Sequence, residues 1–291
     1  MKSKKRKNMW QPLLAVSVLL LFQNVRFVRA DEIPVEISAD SEYFEENETD
    51  PDETESKKTA SGKWKSRNQR CFYYEQGKKV TGLKKIQNNY YYFASNGIQK
   101  TGWQKIGDDY YYFKIANGKK GFMETSKTVN GIRLGKKGKA KITSKSEAKL
   151  NVLIRANQIV EKAVRPEMKK SEKLQKCFDY LLKHFQYRGS PVFEYSGQWE
   201  LDYAMDLFES GHGNCYAFGA AFAFLADAAG YQDCYAISSG GHGWAEADGK
   251  VYDPTWSLID KTHSYYGVDY KQSGIDGRPD YKRARKYVEK I

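Results

Sequence analysis

Apolar residues along the chain fall into successive patterns, each with its own period. A basic stretch (Lys2, Lys4, Lys5, Arg6, Lys7) leads into an apolar run from Leu13 to Phe22 and then small residues around Ala30. Such a run is short of the roughly 20 apolar residues that span a bilayer, so the pattern predicts a secretory signal over residues 1–30, cleaved before Asp31. Residues 31–60 have almost no aliphatic content after Ile37 and read as an acidic disordered linker, extended by self-repulsion. An aromatic pattern follows. The stretch TGLKKIQNNYYYFASNG begins at Thr81 and TGWQKIGDDYYYFKIANG at Thr101, a spacing of 20 residues. A weaker copy with Trp64, Phe72, Tyr73 and Tyr74 precedes them, and a decayed one follows at Gly121 and Phe122. Aromatic runs between turns at Asn88–Asn89, Asn96–Gly97, Asp108–Asp109 and Asn117–Gly118 predict stacked β-hairpins over residues 61–140.

After a basic stretch around Lys136 to Lys145 the period becomes helical. Leu150, Leu153, Ile154, Val160 and Val164 trace one face that ends near Pro166; Leu174, Cys177, Phe178, Leu181, Leu182 and Phe185 trace a second. A nearly uninterrupted apolar stretch from Ala217 to Ala229, stopped by Gly230, predicts a buried helix with Cys215 in its first turn. Residues 141–291 therefore read as a second domain of mixed helix and strand.

Charge and cysteine content narrow the classes. The net charge of +12 conceals an uneven distribution: residues 57–291 hold 41 basic and 24 acidic side chains, a surplus of +17. A body this basic suits polyanions met outside a cell, such as teichoic acids or acidic glycans. No nucleic-acid motif is present, and no stable membrane insertion is expected once the signal is removed. The four cysteines, Cys71, Cys177, Cys215 and Cys234, imply no disulfide framework. Cys177 and Cys234 fit apolar faces as buried thiols. Cys215 stands beside Gly213 and Asn214 at a helix start, where unpaired N–H groups favour a thiolate. The segment GGHGWAEADGKVYDPTW predicts a hairpin turning at Asp248–Gly249, with His242 on its first strand and Asp253 on its second. A cysteine, a histidine that activates it and a carboxylate that orients the histidine are the parts of an acyl-transfer triad. His212, His184 and His263 read as loop, structural or surface residues.

Two resemblances rest on these segments. Thr-Gly-Trp, Ile, Tyr-Tyr-Tyr-Phe and Asn-Gly, in that order, resemble the cell-wall-binding, or choline-binding, repeats of Gram-positive bacteria over about residues 61–125. That resemblance implies a hairpin solenoid, a wall polymer (teichoic acid or peptidoglycan) as partner, and Trp103, Tyr91, Tyr92, Tyr111 and Tyr112 as its ligand aromatics. Leu83 departs from the pattern by replacing a Trp. Gly-Asn-Cys-Tyr-Ala, His-Gly-Trp-Ala-Glu and Tyr-Asp-Pro-Thr-Trp together resemble the transglutaminase-like superfamily. This second resemblance implies a papain-like α+β core over roughly residues 146–275, with Cys215 as nucleophile, His242 as base and Asp253 as orienting carboxylate. The backbone N–H of Cys215 and a side chain from Gln198, Trp199 or Tyr203 are expected to hold the oxyanion. No metal or organic cofactor has a motif. Three readings stand: a secreted, wall-associated transglutaminase-like acyl transferase acting on protein or peptide substrates; a cysteine peptidase or amidase with the same triad; and a non-catalytic wall-binding protein.

Overall fold

The computed structural model describes residues 62–67, 70–115, 121–165, 167–189 and 192–291, all within one compact unit that spans residues 58–291. The expected signal (1–30) and acidic linker (31–60) lie outside the described residues.

Three antiparallel hairpins open this unit: Lys63–Arg67 with Arg70–Glu75, Gly82–Ile86 with Asn89–Phe93, and Gly102–Ile106 with Asp109–Phe113. The pairs Ile86↔Asn89 and Ile106↔Asp109 enclose two-residue turns, so these turns sit at Gln87–Asn88 and Gly107–Asp108, one residue earlier than expected. Their first residues, Gln87 (φ 55°) and Gly107 (φ 61°), adopt the left-handed conformation that hairpin twist demands. Alternation buries Tyr73 in the first hairpin and Tyr91 in the second, while in the third both Tyr110 and Tyr111 are buried. Trp64, Tyr73, Tyr91 and Phe93 join the first hairpin to the second, and Tyr92 stacks on Phe113 of the third at 5.9 Å. The chain at 121–124 continues the pattern by pairing with the third hairpin, Phe113 opposite Met123. A further small hairpin, Thr128–Val129 with Ile132–Arg133, turns at Asn130–Gly131, both with positive φ.

Six α-helices follow among the described residues: α1 (Ser144–Ala163), α2 (Lys170–His184), α3 (Trp199–Ser210), α4 (Cys215–Ala228), α5 (Pro254–Ile259) and α6 (Tyr281–Ala284). Thr143 caps α1 through a reciprocal bond pair with Ser146, which explains its start. The helix α4 is buried along its whole length, as its unbroken apolar sequence requires, among α1, α2, α3 and a five-stranded antiparallel sheet. The strands run in the order Tyr266–Val268, Lys250–Tyr252, Gly243–Ala247, Cys234–Ser238, Tyr287–Lys290. This is a mixed helix-and-strand fold preceded by a hairpin region.

The hairpins do not end where the helices begin to pack. Trp103 and Tyr110 of the third hairpin belong to the same apolar core as α1 and α4. The indole Nε1 of Trp103 donates to Asn130 Oδ1 at 2.9 Å, and Asn130 Nδ2 donates to Asp227 Oδ1 in the last turn of α4 at 2.8 Å. Asn157 Nδ2 of α1 donates to Thr101 O at 2.9 Å.

Candidate active site

Asn214 sets the entry of α4. Its side chain accepts from the N–H groups of Tyr216 and Ala217, the role of an N-cap that places Cys215 as the first helical residue. Two glycines then let α4 lie directly on the sheet. A Cβ on Gly219 would stand 2.7 Å from the Trp244 backbone nitrogen, and one on Gly243 would stand 2.7 Å from Tyr216 Cα. That close approach brings the first turn of α4 against the strand Gly243–Ala247.

His242 stands one residue before that strand, in a tight turn where its N–H donates to Ser239 Oγ at 2.9 Å. Asp253 stands one residue after Lys250–Tyr252 and caps α5, accepting the Trp256 N–H at 3.0 Å. The hairpin that joins them turns at Asp248–Gly249, both left-handed, as the sequence predicts. Its register sets Ala245 opposite Tyr252, so the residues flanking the two strands converge. His242 Nε2 lies 2.6 Å from Asp253 Oδ2. The carboxylate is fully buried and further held by the Thr255 hydroxyl at 3.0 Å on Oδ1 and the Tyr281 hydroxyl at 2.9 Å on Oδ2. With Nε2 engaged, Nδ1 is the ring nitrogen left for Cys215, whose side chain is in hydrogen-bonding contact with His242. Burial of the imidazole disfavours its charge, but the Asp253 charge and hydrogen bond, with Cys215, outweigh that and push the His242 pKa up to about 10. Cys215 itself is 2% exposed.

Of the expected oxyanion side chains, Gln198 bonds Asp202 Oδ1 at 3.1 Å and the Tyr203 hydroxyl fastens the preceding loop through Glu194 N–H at 3.0 Å. Trp199 is buried and its Nε1 has no hydrogen-bond partner. Three residues near the site carried no sequence signal. Tyr281 comes from the short helix α6, thirty-nine residues beyond His242, in a stretch that reads only as charged. Thr255 lies within the quoted motif but was read only as part of it. Tyr187, half-exposed, is close enough to Cys215 and Asp253 that their negative charge, after burial, raises its phenol pKa.

The other cysteines are placed differently. Cys177 and Cys234 are fully buried, and burial pushes the Cys177 thiol up to about 12 and Cys234 higher still. Among the aromatics expected to bind the wall, Trp103, Tyr91 and Tyr111 are buried, while Tyr92 and Tyr112 are partly exposed. No group of three or more His, Cys, Asp or Glu among the described residues is arranged to hold a metal ion. No helix among them is long and apolar enough to cross a membrane.

Comparison with known proteins finds two family matches. Residues 80–122 match the choline-binding repeat family, and residues 157–260 match the transglutaminase-like superfamily. No curated protein matches the chain. Among solved structures, the choline binding domain of Spr1274 from Streptococcus pneumoniae is 26% identical, covering 29% of this chain and 96% of that one, with a TM-score of 0.25. CbpJ from Streptococcus pneumoniae TIGR4 is 29% identical over 27% of each chain, with a TM-score of 0.24. The pneumococcal cell wall endolysin from phage Cp-1, complexed with choline, is 26% identical over 31% of this chain and 27% of its own, with a TM-score of 0.25. The chain thus spans nearly all of the first of these structures but about a quarter of the other two. This chain carries choline-binding repeats followed by a domain of the transglutaminase-like superfamily.

Proposed function

We propose that the protein is a secreted, cell-wall-associated acyl transferase that works through a thioester on Cys215. The observation that carries this reading is the 2.6 Å bond between His242 Nε2 and a fully buried Asp253, with the Cys215 side chain in hydrogen-bonding contact with the same imidazole. A histidine held as imidazolium beside a thiol stabilises the thiolate, the nucleophilic form. The Cys215 sulfur attacks the carbonyl carbon of a glutamine carboxamide or peptide bond, and the backbone N–H of Cys215 is available for the developing oxyanion. Imidazolium gives its proton to the departing ammonia or amine as the carbon–nitrogen bond breaks and the thioester forms. An incoming amine then attacks the thioester, His242 takes its proton, and the thiolate leaves. Water in place of the amine makes the same site an amidase or peptidase. The near-complete burial of Cys215 favours transfer, because a shielded thioester outlasts random encounters with water. The repeats support attachment to choline-containing or other wall polymers.

The test offers glutamine peptides and a labelled amine to the full chain. Incorporation of the amine that exceeds hydrolysis, and that disappears in Cys215→Ala, is the expected result. Hydrolysis alone would support the peptidase reading. Neither activity in the wild type would leave a wall-binding protein without catalysis.

A further inference from the structure

The far end of α4 borders a second cavity. A cleft of about 530 Å³ opens between the third hairpin (Tyr112, Lys114), the small hairpin (Asn130), α1 (Lys149) and the end of α4 (Asp227). Asp227 is twelve residues along the helix from Cys215, about 18 Å at 1.5 Å per residue, so the cleft is separate from the triad. Its volume lies in the range of small-molecule pockets.

The charges lining it are unevenly matched. Glu124 pairs with Lys127 at 3.5 Å and Lys290 with Asp233 at 2.9 Å. Asp227 and Lys149, both partly buried, have no ion pair among the described residues, with each other or with anything else. Asp227 Oδ1 accepts from Asn130, and Lys149 Nζ donates to the Lys290 carbonyl at 3.3 Å; among the described residues no donor reaches Asp227 Oδ2. Burial acts on both groups, raising the Asp227 carboxyl to about 6 and lowering the Lys149 ammonium. A carboxylate and an ammonium that are each partly withdrawn from water and have no ion pair carry part of a desolvation cost that a ligand of complementary charge relieves.

We propose that this cleft binds a small zwitterion, its primary ammonium on Asp227 and its carboxylate or phosphate on Lys149. The open Oδ2 acceptor calls for an N–H-bearing ammonium. A quaternary ammonium has no N–H and depends instead on several open ring faces. Those faces are scarce here: Tyr112 packs edge-on against Trp103 at 5.3 Å, and Lys170 Nζ sits over the Tyr231 ring at 3.9 Å. The cleft therefore differs in chemistry from an aromatic cage, and its occupancy does not depend on the roles of Cys215, His242 and Asp253.

Calorimetric titration of the full chain with alanine, phosphoethanolamine and phosphocholine tests the assignment, alanine and phosphoethanolamine separating a carboxylate from a phosphate ligand. Saturable one-site binding of alanine or phosphoethanolamine is expected, weakened at least about tenfold by Asp227→Asn and by Lys149→Met, a loss near 1.4 kcal/mol. Asp227→Asn is isosteric, and Lys149→Met keeps the apolar stem, so the two variants check each other if one fails to fold. Phosphocholine binding that responds to these substitutions is expected to be at least about tenfold weaker than that of phosphoethanolamine. Absence of saturable binding by either primary amine, or binding that both variants leave unchanged, overturns the proposal. Phosphocholine bound as tightly, and lost in the same variants, overturns the requirement for an N–H donor.

Discussion

The Asp253 carboxylate engages in four hydrogen bonds in a fully buried position, and the one with His242 Nε2 decides what the imidazole does. It orients the ring and leaves Nδ1 as the nitrogen open to the thiol, and its charge and hydrogen bond push the His242 pKa up to about 10. Acyl transfer should therefore fall as pH rises through about 10, where the imidazolium that protonates the leaving amine is lost, whereas alkylation of Cys215, which needs only the thiolate, should not fall there. Asp253→Asn removes the charge that raises this pKa, so the alkaline limb should move down toward or below the ordinary histidine value near 6.5. The same substitution should lower turnover at least about tenfold with folding intact, well short of the roughly 10⁴ seen in serine triads, because a thiol ionises more readily than a hydroxyl. Unchanged turnover in Asp253→Asn with none in His242→Ala would reduce the triad to a dyad. Among the thiols, Cys215 should react fastest with iodoacetamide near neutral pH, since Cys177 and Cys234 are sealed in the core with raised pKa values. Mass mapping of the labelled cysteines checks this, with the half-buried Cys71 as internal reference; His242→Ala should slow Cys215 and leave Cys71 unchanged.

At the scale of elements, the site depends on how closely α4 rests on its neighbouring strand. Gly219→Ala places a methyl group 2.7 Å from backbone that cannot swing aside, so it should cost about 1–3 kcal/mol in denaturant unfolding. It should also slow Cys215 alkylation by displacing the thiol from His242; normal stability and normal labelling together would refute the close-packing argument. Much of this element structure is legible in the sequence. The helical faces at 150–164 and 174–185, the buried run ending at Gly230, and the Asp248–Gly249 turn all reflect local period or turn chemistry, which a single segment carries by itself. The rest depends on distant partners. Tyr281 and the strand Tyr287–Lys290 lie in a stretch crowded with Lys and Arg, where only alternate side chains face inward, so no apolar pattern announces them. Asn130–Gly131 is a strong hairpin signal on its own, but its flanking strands are two residues each, too short to show alternation. Only position along the chain suggests the Gln198, Trp199 and Tyr203 region for oxyanion duty, and Gln198 and Tyr203 spend their polar groups on neighbouring loop and helix residues.

At the scale of the molecule, the third hairpin is both the last repeat and part of the helical core. Trp103 and Tyr110 are buried with α1 and α4, and the chain from Trp103 through Asn130 to Asp227 ties the hairpins to the helix that carries Cys215. The described residues should therefore unfold in one thermal transition rather than two. Asn130→Ala, which strips a buried indole N–H and a carboxylate of their partners, should lower that transition as a whole by about 1–3 kcal/mol. Calorimetry that resolves a separate hairpin transition, left unmoved by Asn130→Ala, would disprove the shared core. A wall-binding test belongs on the full chain for the same reason, because a fragment ending near residue 140 would leave Trp103 and Tyr110 uncovered. If the hairpins grip the wall, an absence of swivel between grip and thiol also limits geography: acyl donors are taken at one standoff from the anchoring polymer, and proteins lying nearer or farther escape modification whatever their sequence.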